Sequence, residues 1–211
     1  MINLILCSLV LVVAYLLGSF PTGYLAGKLL QGIDIREQGS GSTGATNVLR
    51  TLGKVPAVVV LLVDALKGAL AIALVYTLYL PPVPIVPLAA YSWLVAAAAL
   101  MAIIGHSKSI WLNFDGGKSV ATSLGVLLFM SWIVGLGTLG VFLVMLGLTR
   151  IVSLSSLAGA IAVGFLMIAT QQPLAYQVFA VAAGGYVFWR HQGNIQRLLA
   201  GVEPQIGQKL G

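Results

Sequence analysis

One cysteine, two histidines and five acidic residues are all that this 211-residue chain offers of the groups that usually build disulfides, metal sites and carboxylate chemistry. The single Cys7 cannot close an internal bridge, and in its apolar surroundings it reads as a small packing residue. No Cys/His spacing suits zinc, and neither H-E-x-x-H nor G-x-S-x-G occurs. Five carboxylates spread along the chain are too few for a multi-carboxylate magnesium site, so neither metal nor cofactor is expected. Neither histidine is followed by an acid at short spacing: Ser107–Ile110 separate His106 from Trp111, and Gln196 stands five places past His191. No run of Lys or Arg exists, so the net charge of +6 does not point to nucleic acid. Charge itself is scarce. Charged residues make up 8% of the chain and apolar ones 59%, with a mean hydropathy of +1.03. A water-soluble domain could not wet such a surface.

What the chain does have is long uncharged runs: Met1–Gly27, Gly68–Gly105, Ser119–Thr149 and Ile151–Trp189. A spanning helix takes ~20 apolar residues, so the longer runs each hold two helices. Met1–Gly27 lacks a basic leader and an A-x-A-like cleavage site, and is expected to be the first span rather than a signal peptide. The pattern predicts a single polytopic, all-α membrane domain over residues 1–211. Seven crossings are expected: Asn3–Leu29, Val55–Leu80 ending at the breaker Pro81-Pro82-Val83-Pro84, Leu88–Ile104, two within Ser119–Thr149 that are short unless one is re-entrant, Ile151–Thr170 and Leu174–Arg190. Alternate turns carry the cations: Lys28, Arg36, Arg50 and Lys54, then Lys108 and Lys118, then Arg150, then Arg190, Arg197 and Lys209. The turns between them carry none. The positive-inside rule therefore predicts an outside N-terminus and a cytoplasmic C-terminus, which an odd number of crossings satisfies.

Polar chemistry gathers in those basic turns. The first reads Arg36-Glu37-Gln38-Gly39-Ser40-Gly41-Ser42-Thr43-Gly44-Ala45-Thr46-Asn47-Val48-Leu49-Arg50. Glycines that expose backbone amides, hydroxyls and an arginine fork suit a phosphate; a flexible interhelical loop is the plainer alternative. The match to the dinucleotide pattern G-x-G-x-x-G is rejected, since that motif follows a strand and this one follows a membrane helix. In the third loop Gly116-Gly117-Lys118-Ser119 opens a predicted helix, where amides, helix dipole and ammonium could meet one anion. It resembles the end of a P-loop without the first glycine, because Leu112 stands there; a turn with a topological lysine is the competing reading. Asp64 and Lys67 lie ~14 Å and more inside the second span at i, i+3 spacing, where ionisable groups must be paired or functional. Ser153, Ser155 and Ser156 follow Arg150, and Arg190-His191-Gln192-Gly193-Asn194 follows the last span. Serines in membrane helices ordinarily donate to a carbonyl one turn back, and a lone surface His is ordinarily a bystander.

Taken together these blocks resemble the acyl-phosphate-dependent glycerol-3-phosphate acyltransferases of bacterial membranes, the PlsY family. The resemblance runs nearly end to end. It covers Gly18-Ser19 and Gly23, Gly39-Ser40-Gly41 with Gly44-Ala45-Thr46-Asn47 and Arg50, Asp64-x-x-Lys67-Gly68, Gly105-His106 and Gly116-Gly117-Lys118. It continues through Ser153-Leu154-x-Ser156, Arg190-His191-x-x-Asn194-Ile195-x-Arg197-Leu198 and Gly201-x-Glu203. Ser42, Ser109 and Asp115 depart from it, standing where the family usually has Asn, Pro and a basic residue.

The resemblance implies seven spans in the bacterial inner membrane, a cytoplasmic active site, and acyl transfer from acyl phosphate to the sn-1 hydroxyl of glycerol 3-phosphate. The products would be lysophosphatidate and phosphate, in the first step of phospholipid synthesis. It puts Ser40, Arg50, Lys118, Ser156, His191 and Asn194 at essential positions. Gly39, Gly41, Gly44, Thr46, Asn47, Gly116, Gly117 and Ser153 would bind substrate phosphate, with Asp64, Lys67, His106 and Arg190 in support. The expected partners are acyl phosphate, glycerol 3-phosphate and membrane lipid. Since acyl phosphate is already activated, direct attack by the glycerol hydroxyl is expected rather than an acyl-serine. A transporter for a small organic phosphate is the alternative, because it too would use intramembrane charges and cationic loops.

Overall fold

Residues 2–80 and 86–208 are described by the structure, a computed structural model. Over them the chain is all-α: α1 (Ile2–Ser19), α2 (Thr22–Gln31), α3 (Ala45–Thr51), α4 (Lys54–Thr77), α5 (Tyr91–Ser107), α6 (Val120–Met130), α7 (Trp132–Thr149), α8 (Val152–Ala169), α9 (Leu174–Arg190) and α10 (Gln192–Leu199). The proline breaker at 81–84 and Lys209 lie outside the described residues. Five helical stretches are long and apolar enough to cross a membrane: Asn3–Gln31, Lys54–Thr77, Leu88–Leu112, Trp132–Thr149 and Val152–Ala169. Helices α9, with 17 residues, and α6, with 11, are shorter. At 1.5 Å per residue α6 reaches only ~16 Å, about half a hydrocarbon core.

The expected first span, Asn3–Leu29, is broken at Phe20-Pro21 into α1 and α2. Proline removes an amide donor and its ring clashes with the preceding turn, so the helix stops there. The Phe20 carbonyl then accepts from Lys67 Nζ at 2.9 Å. This break gives the buried lysine a partner deep in the bundle.

Around the interior, α4 packs on α6, α6 on α7, α7 on α8, α8 on α9 and α9 on α5, while α5 returns to α4 and α6. Helix α1 lies along α5 and α4. Small residues permit these approaches, as is usual where helices associate in lipid. A side chain on Gly18 would strike the Ala102 carbonyl, and one on Gly105 the Tyr15 carbonyl. Gly68 and Gly125 make the same close approach between α4 and α6, against Thr122 and Ala65. The core they enclose includes Ile72, Val75, Val95, Ile103, Val126 and Phe179, while large apolar residues such as Leu148 and Val181 face outward.

Candidate active site

The first basic loop is folded on Asn47 at the start of α3. Its Oδ1 accepts from Ser40 N at 2.8 Å, and its Nδ2 donates to the carbonyls of Ile35, Gln38 and Ser42 at 3.0, 3.0 and 2.9 Å. Gly39 and Gly41 turn the chain with φ of 55° and 69°, a region that favours glycine. A side chain on Gly39 would also collide with Asn47 Oδ1. The loop thus uses many of its own amides: Ser40 N on Asn47, Gly41 N on Gln38 O and Gly44 N on Ser42 Oγ. What it turns toward the central cavity is side-chain chemistry, from Ser40, Ser42, Thr46 and Arg50. The Arg50 guanidinium is half-buried and forms no ion pair among the described residues.

The second basic loop is similarly committed. Gly117 N donates to the His106 carbonyl at 3.2 Å, and Arg190 Nη2 donates to the carbonyls of Gly116 and Gly117 at 3.1 and 3.3 Å. Ser119 Oγ donates to Ile103 O at 2.7 Å. A side chain on Gly116 would meet the His106 carbonyl, and one on Gly117 the His106 ring. The two glycines therefore serve a close approach to α5 and are not part of the cavity lining. Beneath the loop, Asp64 Oδ1 pairs with Lys67 Nζ at 2.8 Å and stands 3.6 Å from His106 Nδ1, beyond hydrogen-bond length. The four supporting residues thus act on the loop's placement: His106 and Arg190 touch it, and Asp64 and Lys67 back His106. Asp115 is exposed and lies outside the cavity lining, so it does not oppose an anion there. Ser109 donates to Ser19 O at 2.6 Å and ties this loop to α1.

Lys118 is the side chain the loop delivers. Its Nζ donates to Asn194 Oδ1 at 2.5 Å, and Asn194 Nδ2 donates to Glu203 Oε1 at 2.5 Å. Ser153 Oγ donates to the same carboxylate oxygen at 2.7 Å, and Arg197 Nε to Oε2 at 2.7 Å. Burial lowers the Lys118 pKa to about 8, opposed by the nearby Glu203 charge. Glu203 is itself pushed up by burial, yet hydrogen bonds from Ser153, Asn194 and Arg197 carry it below the ordinary carboxylate range.

His191 caps α9 with its Nδ1 2.7 Å from the Val187 carbonyl. A carbonyl can only accept, so Nδ1 carries the proton and Nε2 keeps a free lone pair. Burial holds the imidazole pKa down at about 4, so the ring is neutral near pH 7. Ser156 and Ser155 donate to Val152 O and Ile151 O, each at 2.8 Å, as membrane-helix serines ordinarily do.

Ser40, Gly44, Thr46, Asn47, Arg50, Asp64, His106, Lys118, Ser153, Ser156, His191 and Asn194 thus share one cavity of about 440 Å³. Gly39, Gly41, Gly116, Gly117, Lys67 and Arg190 stand behind it. Sequence reasoning singled out neither Ser42 nor Glu203 as a site residue. Glu203 is one acid in a polar tail and has no spacing signal, although it stands within a block shared with the family. Sequence reasoning expects apolar helix walls for an acyl chain without saying which; the cavity's other half is an apolar groove between α6, α7, α8 and α9 lined by residues such as Leu124, Phe142, Gly159 and Val163.

A cationic, hydroxyl-rich pocket that continues into an apolar groove, inside a bundle of membrane helices, defines an integral membrane protein with a two-ended cavity. The family model described as glycerol-3-phosphate acyltransferase matches residues 8–201. The glycerol-3-phosphate acyltransferase of a Nostoc species is 62% identical, over 97% of this chain and 94% of its own length. That of Trichodesmium erythraeum is 59% identical over 100% and 96%. A crystal structure of PlsY, an integral membrane glycerol 3-phosphate acyltransferase in its glycerol 3-phosphate form, superposes with a TM-score of 0.86 at 33% identity, covering 95% of this chain and 96% of that one. The chain belongs to the glycerol-3-phosphate acyltransferase family.

Proposed function

We propose that this acyltransferase moves a fatty acyl group from acyl phosphate to the sn-1 hydroxyl of glycerol 3-phosphate, as a single polytopic domain in a bacterial plasma membrane. Seven crossings, α1 with α2 as one and then α4 to α9, put the N-terminus outside and the basic loops, the cavity mouth and the C-terminus in the cytoplasm. The observation that carries this reading is the two-ended cavity, with Arg50 and Lys118 at the polar end and an apolar groove beneath. Two phosphates enter, one on each substrate. The Arg50 fork with Ser40 and Thr46, and the Lys118 ammonium beside Asn194 and Ser153, share them.

The reaction needs little from the protein beyond placement. The glycerol hydroxyl oxygen attacks the acyl carbon and forms the ester bond. The bond from that carbon to the bridging phosphate oxygen breaks, and the hydroxyl proton passes to a phosphate oxygen. A phosphate monoester holds its second proton with a pKa of ~6, above the value of about 4 at His191, so phosphate is the better acceptor. His191 Nε2 instead accepts a hydrogen bond from glycerol phosphate and orients it. Direct transfer fits the serines too. Ser156 donates to a helix carbonyl, and among the described residues no side-chain base is hydrogen-bonded to Ser40 or Ser156. The cations and hydroxyls, fixed before substrate arrives, stabilise the charge that gathers on the departing phosphate.

The test is phosphate release from palmitoyl phosphate by the purified protein, with and without glycerol 3-phosphate. Release that depends on glycerol 3-phosphate, with lysophosphatidate formed in equal amount, is the expected result. Movement of glycerol 3-phosphate across vesicles without turnover would replace this function with transport.

A further inference from the structure

The apolar groove has a floor, and its depth is defined on two helices independently. On α9 the lining runs from His191 down to Phe179, twelve residues or ~18 Å. On α8 it runs from Ser153 to Val163, ten residues or ~15 Å. One turn deeper on the same two helices, Met167 and Tyr176 are buried in the core and take no part in the lining. The lining therefore ends at Phe179 on α9, at Val163 on α8 and at Leu127 on α6. Phe179 is 1% exposed and is the largest of the fully buried side chains among the described residues. A depth of ~15 Å is also half the ~30 Å hydrocarbon core, the reach of one leaflet's acyl chain.

We propose that Phe179 is a specificity-determining residue, a ruler whose ring stops the terminal methyl of the acyl chain and so sets the chain length this enzyme prefers. This rests on the proposed function, in which the acyl chain occupies the groove. A chain that ends on the ring buries every methylene, whereas a longer one must bend or leave carbons outside. Each buried methylene contributes ~0.8 kcal/mol, so two of them separate neighbouring even-numbered chains by about tenfold in kcat/KM.

Lauroyl, palmitoyl and stearoyl phosphates, assayed with the purified full-length protein at saturating glycerol 3-phosphate, test the ruler. Phe179→Ala opens the floor and is expected to raise the stearoyl-to-palmitoyl ratio of kcat/KM by about tenfold, with Phe179→Leu moving it the same way by less. Because truncating a buried Phe can unfold a helix bundle, the complementary variant Val163→Phe keeps Phe179 and raises the floor beside it. It is expected to lower the palmitoyl-to-lauroyl ratio by about tenfold. Unchanged ratios in these variants, or an equal fall for every chain length, would overturn the ruler while the acyl transfer itself stands. Absence of glycerol-3-phosphate-dependent turnover in the parent protein would overturn the function, and the ruler with it.

Discussion

At the scale of single residues the site separates charge from proton chemistry. His191 has a carbonyl on Nδ1 and a low pKa, so in the proposed mechanism it offers a lone pair and not a proton store. His191→Gln keeps a polar group at that place. Its expected effect is a rise of about tenfold in the KM for glycerol 3-phosphate with kcat within about threefold, the size of one lost hydrogen bond. A collapse of kcat at unchanged KM would make the histidine the general base. Lys118 behaves differently, because its ammonium form exists only below its pKa of about 8. As pH rises through that value the cation is lost and the site's hold on phosphate weakens, so KM for the phosphate substrates should climb above about pH 8. Lys118→Arg keeps its charge at all accessible pH and should flatten that limb. Lys118→Ala should cost about 10²–10³ in kcat/KM, as the loss of a preorganised charge does. Steady-state kinetics across a pH series, with salt held constant, separates the three outcomes.

Helices and loops show what a sequence conveys and what it withholds. Uncharged runs of spanning length announce α1, α5, α7, α8 and α9 because lipid tolerates few charges, whereas α4 is apolar on either side of Asp64 and Lys67. The split of the first span at Pro21 was written in the residue itself, yet a run of apolar residues continuing to Gly27 concealed it. The loops were recognisable by composition but not by wiring. Glycines that looked like a phosphate cradle are spent elsewhere: Gly117 N binds the His106 carbonyl, and Gly39 makes room for Asn47. Which helices wall the groove was hidden for a different reason. Leu124 or Phe142 facing a ligand's hydrocarbon is spelled like Leu148 facing a lipid's. Close helix approach yields a prediction at this scale. Gly125→Ala pushes a methyl into the Ala65 carbonyl, a backbone atom that cannot swing aside. The α4–α6 contact must open, and thermal unfolding in detergent should show a loss of ~1–3 kcal/mol, the usual penalty for overpacking. Gly140→Ala, where nothing stands within 4 Å, is the matched control and should unfold with the parent.

For the molecule as a whole, the proposed function gives the same cations two uses, in topology and in chemistry. Arg50, Lys118, Arg190 and Arg197 stand together in or beside one cavity, although they come from three separate basic segments of the chain. The positive-inside rule and an anion site both need cations at one end, and under that proposal one set of side chains meets both needs. The orientation follows. If the site's substrates are cytosolic anions, the end carrying α3, α10 and the Lys118 loop faces the cytoplasm, and the N-terminus of α1 faces the opposite compartment. Reporters that fluoresce or cleave substrate only in one compartment, fused in turn to Met1 and Gly211, should give opposite signals. The same signal from both fusions would require an even number of crossings and would overturn the seven-span arrangement. With 11 residues α6 is the crossing element least able to span, and a half-membrane α6 that hands over to α7 at Ser131 would replace two crossings by one re-entrant pair, leaving the termini on opposite sides and the cavity's walls in place. A third reporter, inserted at the α6–α7 turn at Ser131, distinguishes these two arrangements. Labelling from the outer face is expected, and protection of that turn from both faces would identify α6 as a half-membrane helix.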